Sequence, residues 1–282
     1  MKLRVQHRTE YLYTTVVRSN SNEIRLQPPQ TPWQARGFFM LKVLPSTRLK
    51  HYQDFHRNGV HHFEIEEPHQ KLVIEAQSTV TTVPRGHGMA DLGPVSFLAL
   101  SGCREMDEIP LYVGHSRYVR FSPLLWKTAL DLRNDSDDLL RTAQAISDYV
   151  YDTCRYQAGV TTVDTTSEDF FAGRSGVCQD FAHLALALCR SLGIPSRYVS
   201  GYLYDAQRGD LRGAHESHAW IEVYIPGLGW TGFDPTNRQR VNECYITLAT
   251  GRDYEDAAPV KGSYVGAGTR IMNVSVSVER LG

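Results

Sequence analysis

Residues Gly173 to Pro195 read GRSGVCQDFAHLALALCRSLGIP, and they decide the fold. Phe181, Ala182, Leu184, Ala185, Leu186, Leu188, Cys189 and Leu192 leave almost no polar face, and a helix apolar all round is buried inside a domain. Gly193 supplies the residue after the helix end, and Pro195 prevents continuation. At the front, Gly176 lets the chain turn sharply and keeps side-chain bulk away from Cys178, which opens the helix. Unpaired N–H groups and the positive end of the macrodipole gather there; both favour a thiolate and can hold an oxyanion beside an attacked carbon. Cys178 therefore stands where a nucleophile would be placed, although free cysteines are also commonly buried as small hydrophobes. Cys189, inside the apolar run, reads as that second kind. Asp180, in the first turn, complements the dipole and needs no catalytic role.

Thiolate chemistry needs an imidazole in reach, to stabilise the sulfur and then to protonate a leaving amine. Of the 11 histidines, His183 lies about 140° round the helix from Cys178 at 3.6 residues per turn and reads as packing. His56, His61 and His62 cluster in an N-terminal hairpin and read as solvated or cross-strand. His218 opens SHAWIEVYI, where His218, Trp220, Glu222 and Tyr224 alternate with Ala219, Ile221, Val223 and Ile225. The partner strand, GWTGFDPT, ends on Asp234, a carboxylate able to fix the imidazole tautomer. If Ile225 pairs with Trp230, His218 faces Asn237 and Asp234 faces Ile221, so either a wider loop or a bulge corrects the register or Asn237 is the orienter. His215 competes as base. A zinc site of Cys178, His215 and His218 is disfavoured, because HESH sits in a strand context without CxxC or HExxH; no metal or cofactor is expected. Trp220 and Trp230 read as cross-strand packing.

Outward from this centre, the first hundred residues alternate as strands: Leu3, Val5, His7, Thr9 and Tyr11 against Lys2, Arg4, Gln6 and Arg8. GFFMLKVLP and KLVIEAQSTVTTV are further β-rich runs, and Asn58-Gly59 within HYQDFHRNGVHHFEIEE predicts a hairpin turn. An antiparallel sandwich follows. From Leu98 to Pro123 the pattern is irregular and predicts a connector; NDSDDLLRTAQAISDYVYDTC then predicts an amphipathic helix capped by Asp135 or Ser136. RYVSGYLYD, HAWIEVYIP and GWTGFDPT predict three strands, with CYITLAT and RIMNVSVSVE as further strands of the same sheet. Two domains are expected, 1–105 and 106–282. Thirty basic against 31 acidic residues leave a net charge of -1, so no overall field favours nucleic acid or a membrane surface. Five cysteines without CxxC spacing argue against a disulfide framework. The N-terminus lacks an apolar leader core, and no stretch approaches the roughly 18 to 20 apolar residues of a membrane span. A cytoplasmic setting is expected.

GRSGVCQDFAHLALALCRSLGIPSRYVSGY followed by SHAWIEVYIPGLGWTGFDPTN resembles the core of the transglutaminase-like superfamily, the bacterial and archaeal branch related to papain-like cysteine proteases. The resemblance spans about residues 150–240. The first hundred residues resemble the β-rich domain that precedes this core in bacterial proteins, on strand pattern and RLQPP. The resemblance implies an α+β, papain-like core, its nucleophile helix packed on an antiparallel sheet, preceded by a β-sandwich-like domain. The family's cysteine falls on Cys178 in GVCQDFA, its histidine on His218 in HAW and its aspartate on Asp234 in FDPT, which prefers Asp234 over Asn237. Tyr156, in CRYQAG, aligns with an aromatic near the oxyanion site; Gln179 and Trp220 are further candidates for contacts around the reacting atoms. The implied chemistry is acyl transfer from a peptide or protein amide through a thioester, with water as acceptor in a peptidase or amidase and a lysine amine in a crosslinking transglutaminase. A non-catalytic module that keeps the fold is the contrasting reading.

Overall fold

Alternation at the N-terminus produces the long strand β1 (Lys2–Val17), which buries Leu3, Val5, His7, Thr9 and Tyr11 and turns Lys2, Arg4 and Gln6 to solvent. The computed structural model describes residues 1–85, 93–103, 106, 108–206, 211–213 and 216–282. After β1 come β2 (Ser19–Ile24), β3 (Gln34–Leu44), β4 (Lys50–Gln53), β5 (Gly59–Ile65) and β6 (His69–Thr82). The predicted hairpin exists as β4–β5, but Asn58-Gly59 is not its two-residue turn. Gln53 pairs with Gly59, and residues 54–58 form the loop. Asp54 explains the difference: its carboxylate accepts from the N–H groups of His56 and Asn58 and from the Asn58 amide, closing a wider turn.

The helical half holds α1 (Pro123–Arg133), α2 (Leu139–Thr153), β7 (Arg155–Tyr156), α3 (Ser167–Gly173), β8 (Ser175–Gly176) and α4 (Cys178–Ser191). Helix α2 is capped by Asp138, which accepts from the Leu140 N–H, and not by Asp135 or Ser136. Asn134 and Asp135 are occupied in finishing α1, both in the left-handed region at φ 48° and 57°. Helix α4 is buried from Asp180 through Arg190, as its apolar circumference demands. It packs under α1, α2 and α3 and over Ala219, Ile221, Val223, Ile225 and Phe233.

Those last residues belong to the central sheet, built from β9 (Ser196–Leu203), β10 (His218–Ile225), β11 (Gly229–Asp234), β12 (Gln239–Arg240) and β13 (Tyr245–Gly251) in the order β12-β11-β10-β9-β13. CYITLAT, as β13, joins this sheet as expected; RIMNVSVSVE does not. After the short α5 (Tyr254–Ala257), β14 (Val260–Val265) and β15 (Arg270–Leu281) return to the N-terminal half. There β15 pairs along β1 from Lys2↔Leu281 to Tyr13↔Arg270, and β14 pairs with β2. Two four-stranded sheets result, β15-β1-β6-β3 and β14-β2-β5-β4, sharing a core of residues such as Val5, Ile24, Phe63 and Ile74. A cut at residue 105 thus leaves residues 260–281 on the sheets of the first half.

The two halves meet along β13, an edge strand whose outer backbone would otherwise lack partners. Gln34 uses its amide as a substitute strand, donating to the Thr247 carbonyl and accepting from the Thr247 N–H, both at 2.9 Å. Asn58 does the same to Thr250 at 2.8 Å. Tyr202, Ile246 and Leu248 then extend the N-terminal core onto the central sheet. His56, expected to be solvated or cross-strand, belongs to this junction: it bonds the Tyr112 hydroxyl at 2.9 Å and meets Asp256 at 3.1 Å. His61 and His62 do face the neighbouring strand, opposite His51 and Lys50.

Candidate active site

Cys178 is the first residue of α4, and the preceding residue, Val177, has no side-chain oxygen with which to cap the helix. Asp180 takes over that task by reaching back to the Val177 N–H at 2.8 Å, and the same oxygen accepts from the Thr161 hydroxyl at 2.7 Å. Gly176 makes this possible. A Cβ there would lie 2.3 Å from the Asp180 carboxylate and 2.9 Å from the Phe170 ring, so the glycine is required by close approach of the capping acid. Burial holds the Asp180 carboxyl above the usual carboxylate range.

Strand register decides which acid reaches His218. Ile225 pairs with Gly229, not Trp230, through a loop one residue shorter than the expected four, and Ile221 pairs with Phe233. No bulge interrupts β10–β11. A one-residue change flips every side chain to the other face, so Asp234 falls on the side of His218 and Trp220. The observed register places the pair diagonally, within reach of long side chains. His218 Nε2 lies 2.8 Å from Asp234 Oδ2, both side chains fully buried.

Asp234 is held in turn by four further donors. Oδ1 accepts from the Thr236 and Asn237 N–H groups at 2.9 and 3.2 Å, and Oδ2 from the Tyr245 hydroxyl at 2.8 Å and the Asn237 amide at 2.9 Å. Asn237, the alternative orienter, is thus a partner of the acid, and its amide also clamps the backbone of Arg212. Burial raises the Asp234 carboxyl, but His218 and these hydrogen bonds outweigh it and hold the group below its ordinary range. Sequence reasoning missed Tyr245, because nothing local in CYITLAT marks a tyrosine whose hydroxyl crosses β9 and β10.

The other ring nitrogen, Nδ1, is buried and without a hydrogen-bond partner among the described residues. Cys178 nevertheless acts on this imidazole by proximity and charge. Burial disfavours the imidazolium, yet Asp234, and after it Cys178, more than reverse this and push the His218 pKa up to about 10. The consequence for stability has a definite sign. Since the folded value exceeds the unfolded value of about 6.5, the contribution is complete below that pH and is lost as pH climbs towards about 10. Urea denaturation at pH 7, 8.5 and 10 is expected to show stability falling by up to about 1 kcal/mol per pH unit, with a shallower fall in His218→Gln.

Tyr156 lies beside Gly176 in the β7–β8 pair, and burial followed by the charge of Cys178 raises its hydroxyl. Gln179 directs its amide to the Val163 carbonyl at 3.3 Å. Trp220 is fully buried with Val199, Leu203, Val241 and Tyr245, and its ring centre lies 6.1 Å from that of His218. Gly201, opposite His218, leaves room for it: a Cβ would come within 2.3 Å of the indole. His183 packs between Tyr118 and Tyr198, accepts from the Tyr254 N–H, and is held by burial at a pKa of about 3. His215, the competing base, lies outside the described residues.

Comparison with known proteins extends these observations. Residues 127–235 match the family description for the transglutaminase-like superfamily core, and residues 3–81 match the bacterial transglutaminase-like N-terminal region. The chain is 31% identical over 284 residues to an uncharacterized protein of Mycobacterium leprae, covering 99% of each. A shorter segment of 84 residues, 27% of this chain and 12% of the relative, is 36% identical to a protein-glutamine gamma-glutamyltransferase of Pseudomonas aeruginosa. In structure the chain is similar to a protein of Cytophaga hutchinsonii provisionally named a cysteine protease, with a TM-score of 0.77 and 24% identity, covering 100% of this chain and 92% of that one.

Proposed function

We propose that this chain, which belongs to the transglutaminase-like superfamily, is a thiol-dependent acyl-transfer enzyme acting on amide bonds, in the first instance a peptidase or amidase. The observation that carries the proposal is His218, enclosed between the Asp234 carboxylate and Cys178 at the start of α4. In this reading the Cys178 thiolate attacks the amide carbonyl carbon while N–H groups of the first helical turn receive the developing oxyanion. The His218 imidazolium gives its proton to the departing nitrogen, so the C–N bond breaks and a thioester remains. His218, now neutral, takes a proton from water; the hydroxide displaces sulfur as the thiolate, the acid leaves, and the thiolate–imidazolium pair is restored. Asp234 keeps its charge throughout and orients the ring.

Crosslinking is the second reading, favoured by the similarity of the 84-residue segment to a protein-glutamine gamma-glutamyltransferase. It differs only in the acceptor, a lysine amine in place of water. A reducing compartment, the cytoplasm, suits a chain whose five cysteines are all free thiols. The discriminating experiment incubates the protein with a glutamine peptide, a set of peptide amides and a fluorescent primary amine. Cleavage or ammonia release without amine incorporation is expected; amine incorporation would transfer the assignment to crosslinking. If neither product forms and iodoacetamide at pH 6 alkylates Cys178 no faster than a free thiol, the enzymatic reading fails.

A further inference from the structure

A cavity of about 710 Å³ opens where the N-terminal half meets the central sheet, and none of Cys178, His218 or Asp234 lines it. Its size is that of a small-molecule site, and the seam between two structural units is a common location for one. The floor is ionic. Arg197 on β9 stands directly opposite Glu222 on β10, and its Nε and Nη2 both bond Oε2, at 2.9 and 2.6 Å. Arg85 bonds the other carboxylate oxygen at 2.8 Å and reaches the Thr247 hydroxyl at 3.3 Å. Although burial raises the Glu222 carboxyl, the two arginines outweigh it and keep the group ionised.

Two guanidiniums around one carboxylate leave a surplus of one positive charge. Among the described residues, the other charged groups on the wall do not offset it: Arg57 and Glu108 pair with each other at 2.7 Å, and His56 is engaged by Asp256. The surroundings are aromatic. The Arg197 guanidinium lies 4.3 Å from the centre of the Trp230 ring, Tyr112 packs edge-on against that ring, and Trp33 lines the same space. Arg197 Nη1 bonds none of the described residues, so the outer edge of the guanidinium keeps a free donor. A surplus cation in a mostly apolar crevice is costly unless an anion joins it, and a planar guanidinium is suited to a carboxylate.

We propose that this cavity binds an organic monoanion, a carboxylate carried on an aromatic or apolar body, with Arg197 and Arg85 taking the carboxylate and Trp230, Tyr112 and Trp33 enclosing the body. Such a carboxylate is found on a free aromatic acid and at the C-terminus of a peptide ending in an apolar residue. The site is separate from the sulfur. Glu222 stands four residues beyond His218 on β10, roughly 13 Å along the strand, with fully buried Trp220 between them. The proposal rests on the ion cluster and not on the acyl-transfer reading.

Isothermal titration of the full chain tests it, in a Cys178→Ala background so that no peptide is turned over. The probes are 3-phenylpropionate, 3-phenylpropionamide, N-acetyl-Ala-Phe and the C-terminal amide of that dipeptide. One equivalent of a carboxylate probe is expected to bind at least about tenfold tighter than its amide, since the difference is a charge-assisted hydrogen-bonded pair. Tighter binding of phenylpropionate identifies a free acid as the source, and tighter binding of the dipeptide a chain end. Arg197→Gln is expected to weaken binding about tenfold, whereas Glu222→Gln, which frees both arginines, should strengthen it several-fold. The opposite signs keep the test decisive even if Arg197→Gln does not fold. Equal binding of acid and amide, no binding at millimolar probe, or weaker binding in Glu222→Gln overturns the proposal.

Discussion

Replacing Cys178 by alanine is expected to lower amide turnover by about 10³-fold or more while changing folding stability by no more than about 1 kcal/mol. The activity loss follows from the proposed chemistry: without the sulfur there is no thioester, and the helix N–H groups and His218 can at best assist a direct attack by water. The small effect on stability follows from the fold. The cap of α4 comes from Asp180 on Val177, not from Cys178, so removing the sulfur leaves the helix start intact and costs only its share in holding the His218 imidazolium. Cys189→Ala supplies the opposite pattern. That thiol is fully enclosed in the α4 core and pushed by burial to a pKa of about 12, so its loss should cost packing energy and leave turnover alone. Steady-state kinetics with thermal unfolding on both variants reads the contrast, and unchanged kcat in Cys178→Ala would remove the nucleophile from the scheme.

Much of this arrangement could be read from local pattern because its causes are local. The alternation of β1, the apolar circumference of α4 and the His218 strand each follow from a periodicity of two or 3.6. Where the sequence misled, a distant or competing contact decided. RIMNVSVSVE alternates as a strand should, but alternation cannot say that its partner is β1, which begins at residue 2. Helix α1 buries only Leu125 and Ala129, too narrow a stripe to separate it from the irregular connector before it. Helix α3 is seven residues long, and its one signal, the Thr166–Asp169 capping box, sits in a polar run that reads as loop. The β10–β11 register turned on a single residue of loop length, set by a Leu228 N–H bond to the Ile225 carbonyl and by Gly227 and Gly229 at positive φ. Only coordinates could therefore show Asp234 and His218 on one face without a bulge.

Asp234 should tolerate change poorly, because one carboxylate there serves both the ring and the turn that follows. It accepts five hydrogen bonds with no exposure to solvent. In Asp234→Ala these donors lose their acceptor and a buried imidazolium loses its counter-charge, so the expected cost is about 3–5 kcal/mol of stability. Asp234→Asn separates structure from chemistry. Its amide oxygen can still accept from the Thr236 and Asn237 N–H groups, while its NH₂ now faces His218 Nε2. A neutral ring must then accept at Nε2 and carry its proton on Nδ1, the nitrogen that would receive the thiol proton, so turnover is expected to fall about 10³- to 10⁴-fold with a smaller loss of stability than alanine causes. The ring should also titrate differently. Burial alone lowers the imidazole, and with the carboxylate charge gone the His218 pKa is expected to drop from about 10 to below 6.5. Histidine C–H resonances followed from pH 5 to 10 in wild type and Asp234→Asn measure that shift directly. A variant that stays folded, keeps its raised histidine and retains kcat within tenfold would show that Asp234 braces the β-turn without orienting a base.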